Sequence, residues 1–137
     1  MKTVYTAEAT AEGGRNGKVS SSDDRLDLGL SMPESLGGSG GEGTNPEQLF
    51  AAGYAACFQS AMDLVASNNG GDTEGSSVTA SVGLVPSRGA YELSVKLSVI
   101  LPKMDHEQSR ELVEQAHEVC PYSRATRDNV QVELEVV

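Results

Sequence analysis

The sequence predicts an α+β fold in the order βββ-α-ββ-α-β, with antiparallel or mixed sheets wrapped around a buried central helix. Three observations carry that prediction. Short alternating segments occupy the first thirty residues or so, a long apolar segment follows a helix-start signal at Asn45, and two further alternating strands are separated by a turn. Hairpins rather than helical crossovers are expected to join the strands, as in α+β folds.

The first strand is expected over Thr3–Thr10, which is rich in Thr and Val. Gly17–Ser21 and Arg25–Leu30 follow, the latter alternating apolar and polar residues. Gly13-Gly14-Arg15-Asn16-Gly17 and Ser22-Asp23-Asp24 have turn composition and separate these strands. The glycine-rich residues 36–45 read as a loop. Asn45 can then cap a helix, Pro46 suits its first position, and Gln48 completes a box-like pair with Asn45. That helix should run to about Ser67, before Asn68-Asn69-Gly70-Gly71. It is apolar on nearly every side from Leu49 to Ala66, the pattern of a helix buried in a core.

Val78–Val85 and Tyr91–Leu101 alternate cleanly, with Pro86-Ser87-Arg88-Gly89 between them, and read as an antiparallel hairpin. A second helix is expected from Asp105 to about Val119, with Leu112, Val113, Ala116 and Val119 on one stripe and Pro121 ending it. Val130–Val136 closes the chain as an alternating strand.

The 137 residues are expected to form a single domain, 1–137. A chain of this size buries roughly two thirds of its unfolded surface and needs no metal or disulfide staple. Ten Lys and Arg face 20 Asp and Glu, a net charge of −10. Such a field repels phosphate backbones and anionic lipid and argues against nucleic-acid or membrane partners. No run of roughly 18 apolar residues is present, so no transmembrane helix is expected. Met1–Thr6 lacks the apolar stretch of a signal peptide, which makes a cytoplasmic protein the expectation.

Several constellations compete for the chemistry. Gly38–Gly43 satisfies a GxGxxG spacing before a helix. Glu42 would face a pyrophosphate there, and the acid some 20 residues on, Asp63, lies inside the helix, so dinucleotide binding is disfavoured. Cys57 and Cys120, 63 residues apart, are too few for a disulfide framework, and buried inert thiols are the plain reading. Phe50, Tyr54, Phe58 and Tyr122 nevertheless cluster near the cysteines in sequence. Phe50 and Tyr54 share the helix face of Cys57, so these aromatics could wall an apolar substrate pocket or simply pack a core. A reactive thiol needs a cation, a metal or a helix N-terminus. Cys57 lies in mid-helix and Cys120 at a helix C-terminus, where the dipole opposes a thiolate. If the two act together, Cys57 paired with an Arg should attack and Cys120 should resolve. A zinc set of His117, Cys120, Cys57 and His106 is the rival constellation, but it lacks the paired ligand spacing of structural zinc motifs.

Asn45–Phe58, followed by Val119-Cys120-Pro121-Tyr122-Ser123 and Ala125-Thr126-Arg127, closely resembles the organic hydroperoxide resistance (Ohr) proteins of the OsmC/Ohr family. The likeness covers essentially the whole chain, including the glycine turn around Arg15. It implies a cysteine-based peroxidase for organic hydroperoxides without metal, haem or other bound cofactor; the aromatic and aliphatic residues around Cys57 suit an alkyl or fatty-acid-like substrate. By the resemblance Cys57 is the peroxidatic thiol, Cys120 the resolving thiol, and Arg15 with Glu47 an ion pair serving the site. Phe50, Tyr54 and Tyr122 are candidate pocket residues. The external reductant implied is dihydrolipoamide or a lipoylated protein. Glu47 and Cys57 stand ten residues apart, about 15 Å along a helix axis, so they cannot touch within one straight helix. Either Arg15 spans part of that gap or a second subunit contributes, and the family's intertwined homodimer agrees with the latter. The alternative of another class is a non-enzymatic module binding lipid or another small ligand, with inert buried cysteines.

Overall fold

Strand pairing begins at Ala9, later than the sequence suggests. In the computed structural model, which describes residues 1–137, β1 (Ala9–Glu12), β2 (Lys18–Ser21) and β3 (Asp27–Gly29) form an antiparallel sheet in that order. Ala9 lies opposite Ser21 and Lys18 opposite Gly29. The expected strand over Thr3–Thr10 is shortened because β2 ends at Ser21 and turns away through Ser22–Asp24. Residues before Glu8 therefore have no strand beside them. A 3-10 turn at Gly14–Asn16 joins β1 to β2, and another spans Glu34–Leu36. Leu30 forms a single parallel bridge with Thr44, which closes the glycine-rich loop. No residue of β1 or β3 is buried, and Leu28 remains 39% exposed. These elements belong to one compact unit, Met1–Leu49; the other is Phe50–Val137.

Helix α1 (Pro46–Asn69) starts where the capping signal places it and ends two residues beyond the expected Ser67. Asn45 Oδ1 accepts the Gln48 amide at 2.8 Å. The Gln48 side chain accepts instead from Thr44 Oγ1 at 2.7 Å, so the reciprocal half of the expected box is not made with Asn45. By length and composition α1 is apolar enough to span a membrane, which corrects the sequence argument against such a helix. Its packing is that of a core helix. Tyr54, Phe58, Ala61, Met62, Val65 and Ala66 are buried. Ala52, Ala56, Ser60, Asp63, Leu64 and Ser67 form an exposed stripe, so the helix is not enclosed on every side within this chain.

The second sheet has the order β4-β5-β6, with β4 at Ser77–Ser87, β5 at Ala90–Ile100 and β6 at Gln131–Val136. The β4–β5 hairpin turns on Arg88 and Gly89, at φ 51° and 81°, a two-residue turn of the kind that matches strand twist. Pro86 stays inside β4, which a sheet edge tolerates because no amide donor is needed there. β6 pairs parallel to β5, Val95 opposite Val132, and this corrects the expectation of hairpins alone. A parallel neighbour requires a crossover. Helix α2 (His106–Val119) and a short helix α3 (Pro121–Thr126) supply it. Asp105 caps α2, its Oδ1 accepting from the Gln108 amide at 2.8 Å. Phe58, Met62, Leu97, Val99, Val113 and Cys120 form the fully buried centre of this unit.

Candidate active site

Arg15 is held by a turn that its glycines make possible. Gly13 has φ 82°, and a Cβ on Gly17 would come within 1.7 Å of the Glu12 carbonyl oxygen. From this turn Arg15 donates Nη1 to Glu47 Oε1 at 2.6 Å and Nη2 to Glu47 Oε2 at 2.9 Å. The pair is bidentate and partly buried, with side-chain exposures of 32% and 17%. Hydrogen bonding from the guanidinium holds the Glu47 carboxyl below the usual glutamate value, and Glu47 in turn raises Arg15. The two residues that the family resemblance couples are thus directly paired across 32 positions of sequence.

In the second unit Cys57 and Cys120 come within 3.7 Å, sulfur to sulfur, and both are free thiols. Cys57 is half-buried on α1 and Cys120 fully buried. Cys120 is not simply at a helix C-terminus, as its position before Pro121 suggests. It caps the end of α2 and the start of α3 at once, with φ −62° and ψ 123°. Pro121 ends one helix and occupies the first turn of the next, a position proline favours. Burial pushes the Cys57 thiol up, the Tyr122 backbone N–H opposes that shift, and Cys120 adds to it. The net direction is upward, so this unit does not by itself produce the low thiol that the sequence argument requires of a cation.

Phe50, Tyr54 and Tyr122 form one aromatic cluster. Ring centroids are 6.1 Å apart for Phe50 with each tyrosine and 5.5 Å for the tyrosine pair. Tyr122 is 38% exposed and Tyr54 fully buried. Gly53 makes room for this packing, since a Cβ there would lie 2.7 Å from the Tyr122 hydroxyl.

A largely buried polar chain joins α1, α2 and α3, and the sequence reading assigns no role to its Ser123 and Thr126. His117 Nδ1 lies 2.7 Å from Ser123 Oγ, which lies 2.8 Å from the Tyr54 hydroxyl. Tyr54 also reaches Thr126 Oγ1 at 3.2 Å, and Thr126 donates to the Ser123 carbonyl at 3.1 Å. The sequence signal was slight: Ser123 closes the Cys-Pro-Tyr-Ser motif, but nothing local ties it to Tyr54.

The competing constellations do not assemble. No three His, Cys, Asp or Glu side chains converge, and the His117 Nδ1 of the zinc reading is engaged with Ser123. In the glycine-rich loop the amides of Gly38, Gly40 and Gly43 donate to Pro33 O, Met32 O and Ser31 Oγ, leaving them no hydrogen to offer a phosphate.

Residues 38–135 match the OsmC-like protein family. The chain is 52% identical over 134 residues to an organic hydroperoxide resistance protein of Xanthomonas axonopodis pv. citri, covering 97% of this chain and 94% of that one. It is 46% identical to the organic hydroperoxide resistance protein OhrB of Bacillus subtilis, over 97% and 98% of the two chains. A crystal structure of an organic hydroperoxide resistance protein from Legionella pneumophila superposes with a TM-score of 0.93 at 48% identity, covering 98% of each chain.

Proposed function

The chain belongs to the OsmC/Ohr family, in its organic hydroperoxide resistance branch, and from that membership we propose that it is a thiol-dependent peroxidase for organic hydroperoxides. The observation that carries the proposal is the 3.7 Å approach of two free thiols that are 63 residues apart in sequence. A purely inert pair has no need to meet, whereas a peroxidatic and a resolving thiol must.

In the proposed reaction the Cys57 thiolate attacks the distal oxygen of the hydroperoxide. An S–O bond forms as the O–O bond breaks, and the departing alkoxide takes a proton and leaves as the alcohol. Cys120 then attacks the sulfenic sulfur, expelling water and forming the Cys57–Cys120 disulfide. An external dithiol, dihydrolipoamide or a lipoylated protein, returns both thiols by exchange and is itself oxidised to a disulfide. Arg15 supplies the cation that Cys57 otherwise lacks. It stabilises the thiolate and the charge developing on the peroxide oxygens, while Glu47 holds the guanidinium in one orientation. Phe50 and Tyr122 offer an apolar wall to the organic group, with Tyr54 beneath them.

The working form is proposed to be an intertwined cytoplasmic homodimer. The exposed stripe on α1, the unburied first sheet and the exposed Val4 and Tyr5 support a second copy as their cover.

Thiol counting with mass spectrometry tests the chemistry. One equivalent of tert-butyl hydroperoxide should consume both thiols and yield the Cys57–Cys120 disulfide. Dihydrolipoamide should restore them and Cys57→Ser should abolish peroxide loss. Thiols that survive the peroxide untouched would return the protein to the class of passive ligand-binding modules.

A further inference from the structure

We propose that Ser123 and His117 are positioning residues for the resolving step, acting through the buried chain His117–Ser123–Tyr54–Thr126. The inference rests on the peroxidase reading above.

Hydrogen accounting gives the chain a direction. The single hydroxyl hydrogen of Thr126 goes to the Ser123 carbonyl, so Thr126 Oγ1 can only accept from Tyr54. The Tyr54 oxygen then accepts from Ser123 Oγ–H, and Ser123 Oγ accepts from His117 Nδ1–H. Every contact is satisfied in this arrangement, and it assigns the Nδ1–H tautomer to His117. Burial and the nearby Arg127 lower the His117 pKa, which keeps the ring neutral near pH 7 without altering that donation.

The position of the chain explains its use. Tyr54 stands one helical turn before Cys57 on α1, and Ser123 stands three residues after Cys120. The Tyr54–Ser123 hydrogen bond therefore sets the register between the helix carrying one thiol and the segment carrying the other. At the opposite end of that segment, the Cys120 amide is tied to the Ala116 carbonyl at 2.8 Å. With Cys120–Ser123 fixed at both ends, the sulfurs have only to close from 3.7 Å to about 2.05 Å. Ser123 and Tyr54 are fully buried, so no water replaces a lost partner in the chain.

Rapid-mixing kinetics with tert-butyl hydroperoxide separate the steps, sulfenic acid being trapped with dimedone and the disulfide followed by mass spectrometry. Ser123→Ala and His117→Leu are expected to slow disulfide closure about tenfold and to raise Cys57 sulfinic acid at excess peroxide. Sulfenic acid formation should stay within about threefold of the parent protein. His117→Asn, whose side-chain N–H sits where Nδ1–H does, should restore closure to within about twofold. If Ser123→Ala does not fold, the His117 pair decides alone. Unchanged closure in His117→Leu overturns the inference, as does an equal fall in both steps or a failure of His117→Asn to rescue. A parent protein that forms sulfenic acid but no Cys57–Cys120 disulfide overturns this inference while leaving peroxide reduction at Cys57 standing; one that forms no sulfenic acid overturns the peroxidase reading itself.

Discussion

The Glu47 carboxyl is held below its ordinary value and the Cys57 thiol is pushed above its own, for separate physical reasons. The Glu47 carboxyl is held down by a bidentate guanidinium. Its stabilising contribution is complete above the ordinary glutamate value of 4.5 and disappears as pH falls through the depressed one. Glu47→Gln should therefore lower stability by about 1 kcal/mol at pH 7. Urea midpoints of the two proteins should converge as the pH is lowered to the point where Glu47 is protonated. Cys57 is pushed up by burial, and the peroxidase reading requires Arg15 to reverse this. Arg15→Ala should move the pH midpoint of Cys57 alkylation by iodoacetamide upward and lower the peroxidase rate by about 10²-fold. An unmoved midpoint would remove Arg15 from the site.

The elements differ in how much freedom their glycines leave. At Gly17 an added Cβ meets the Glu12 carbonyl at 1.7 Å, and a backbone atom in a strand end cannot step aside. Gly17→Ala should cost more than about 2 kcal/mol in urea denaturation and should disturb the turn that presents Arg15. At Gly53 the obstacle is the end of the Tyr122 side chain, 2.7 Å away, which can swing out. The same element-level logic explains α3. A proline after a helix reads locally as a stop, and here it is also a start. Only the fold of α2 onto the second sheet reveals Cys120 as the cap shared by both helices.

For the whole molecule, the exposed stripe of the otherwise apolar helix α1 is the surface on which the proposed second copy would sit. Leu64 is 58% exposed on that stripe, among small residues that allow close approach of another helix. Light scattering at micromolar concentration should give the mass of a dimer, and Leu64→Asp should shift it toward the monomer. A monomeric parent protein would count against the assembly. The net charge of −10 keeps such a protein dispersed, so self-association here needs specific apolar burial.

Most of what is written in local pattern was legible in the sequence by itself, although the first strand is shorter than its alternation suggests and Pro121 opens a helix as well as closing one. The N-cap at Asn45, the alternation in β4 and β5 and the order of the elements other than α3 follow from residues within a few positions of one another. The two cysteine motifs and the glycine turn of Arg15 were legible as well, because a family likeness is written in consecutive residues. Composition and periodicity leave open the contacts that join distant parts of the chain; the family resemblance pairs Arg15 with Glu47 and Cys57 with Cys120, and the tertiary structure brings both pairs together and adds Tyr54 with Ser123. Arg15 meets Glu47 across 32 residues, Cys57 meets Cys120 across 63, and Tyr54 meets Ser123 across 69. The parallel pairing of β6 is of the same kind, since its alternating pattern is equally compatible with either direction. Periodicity and capping state which face of an element is buried. Which partner it meets there depends on the path of the chain, and that path is set by the packing of all the elements together.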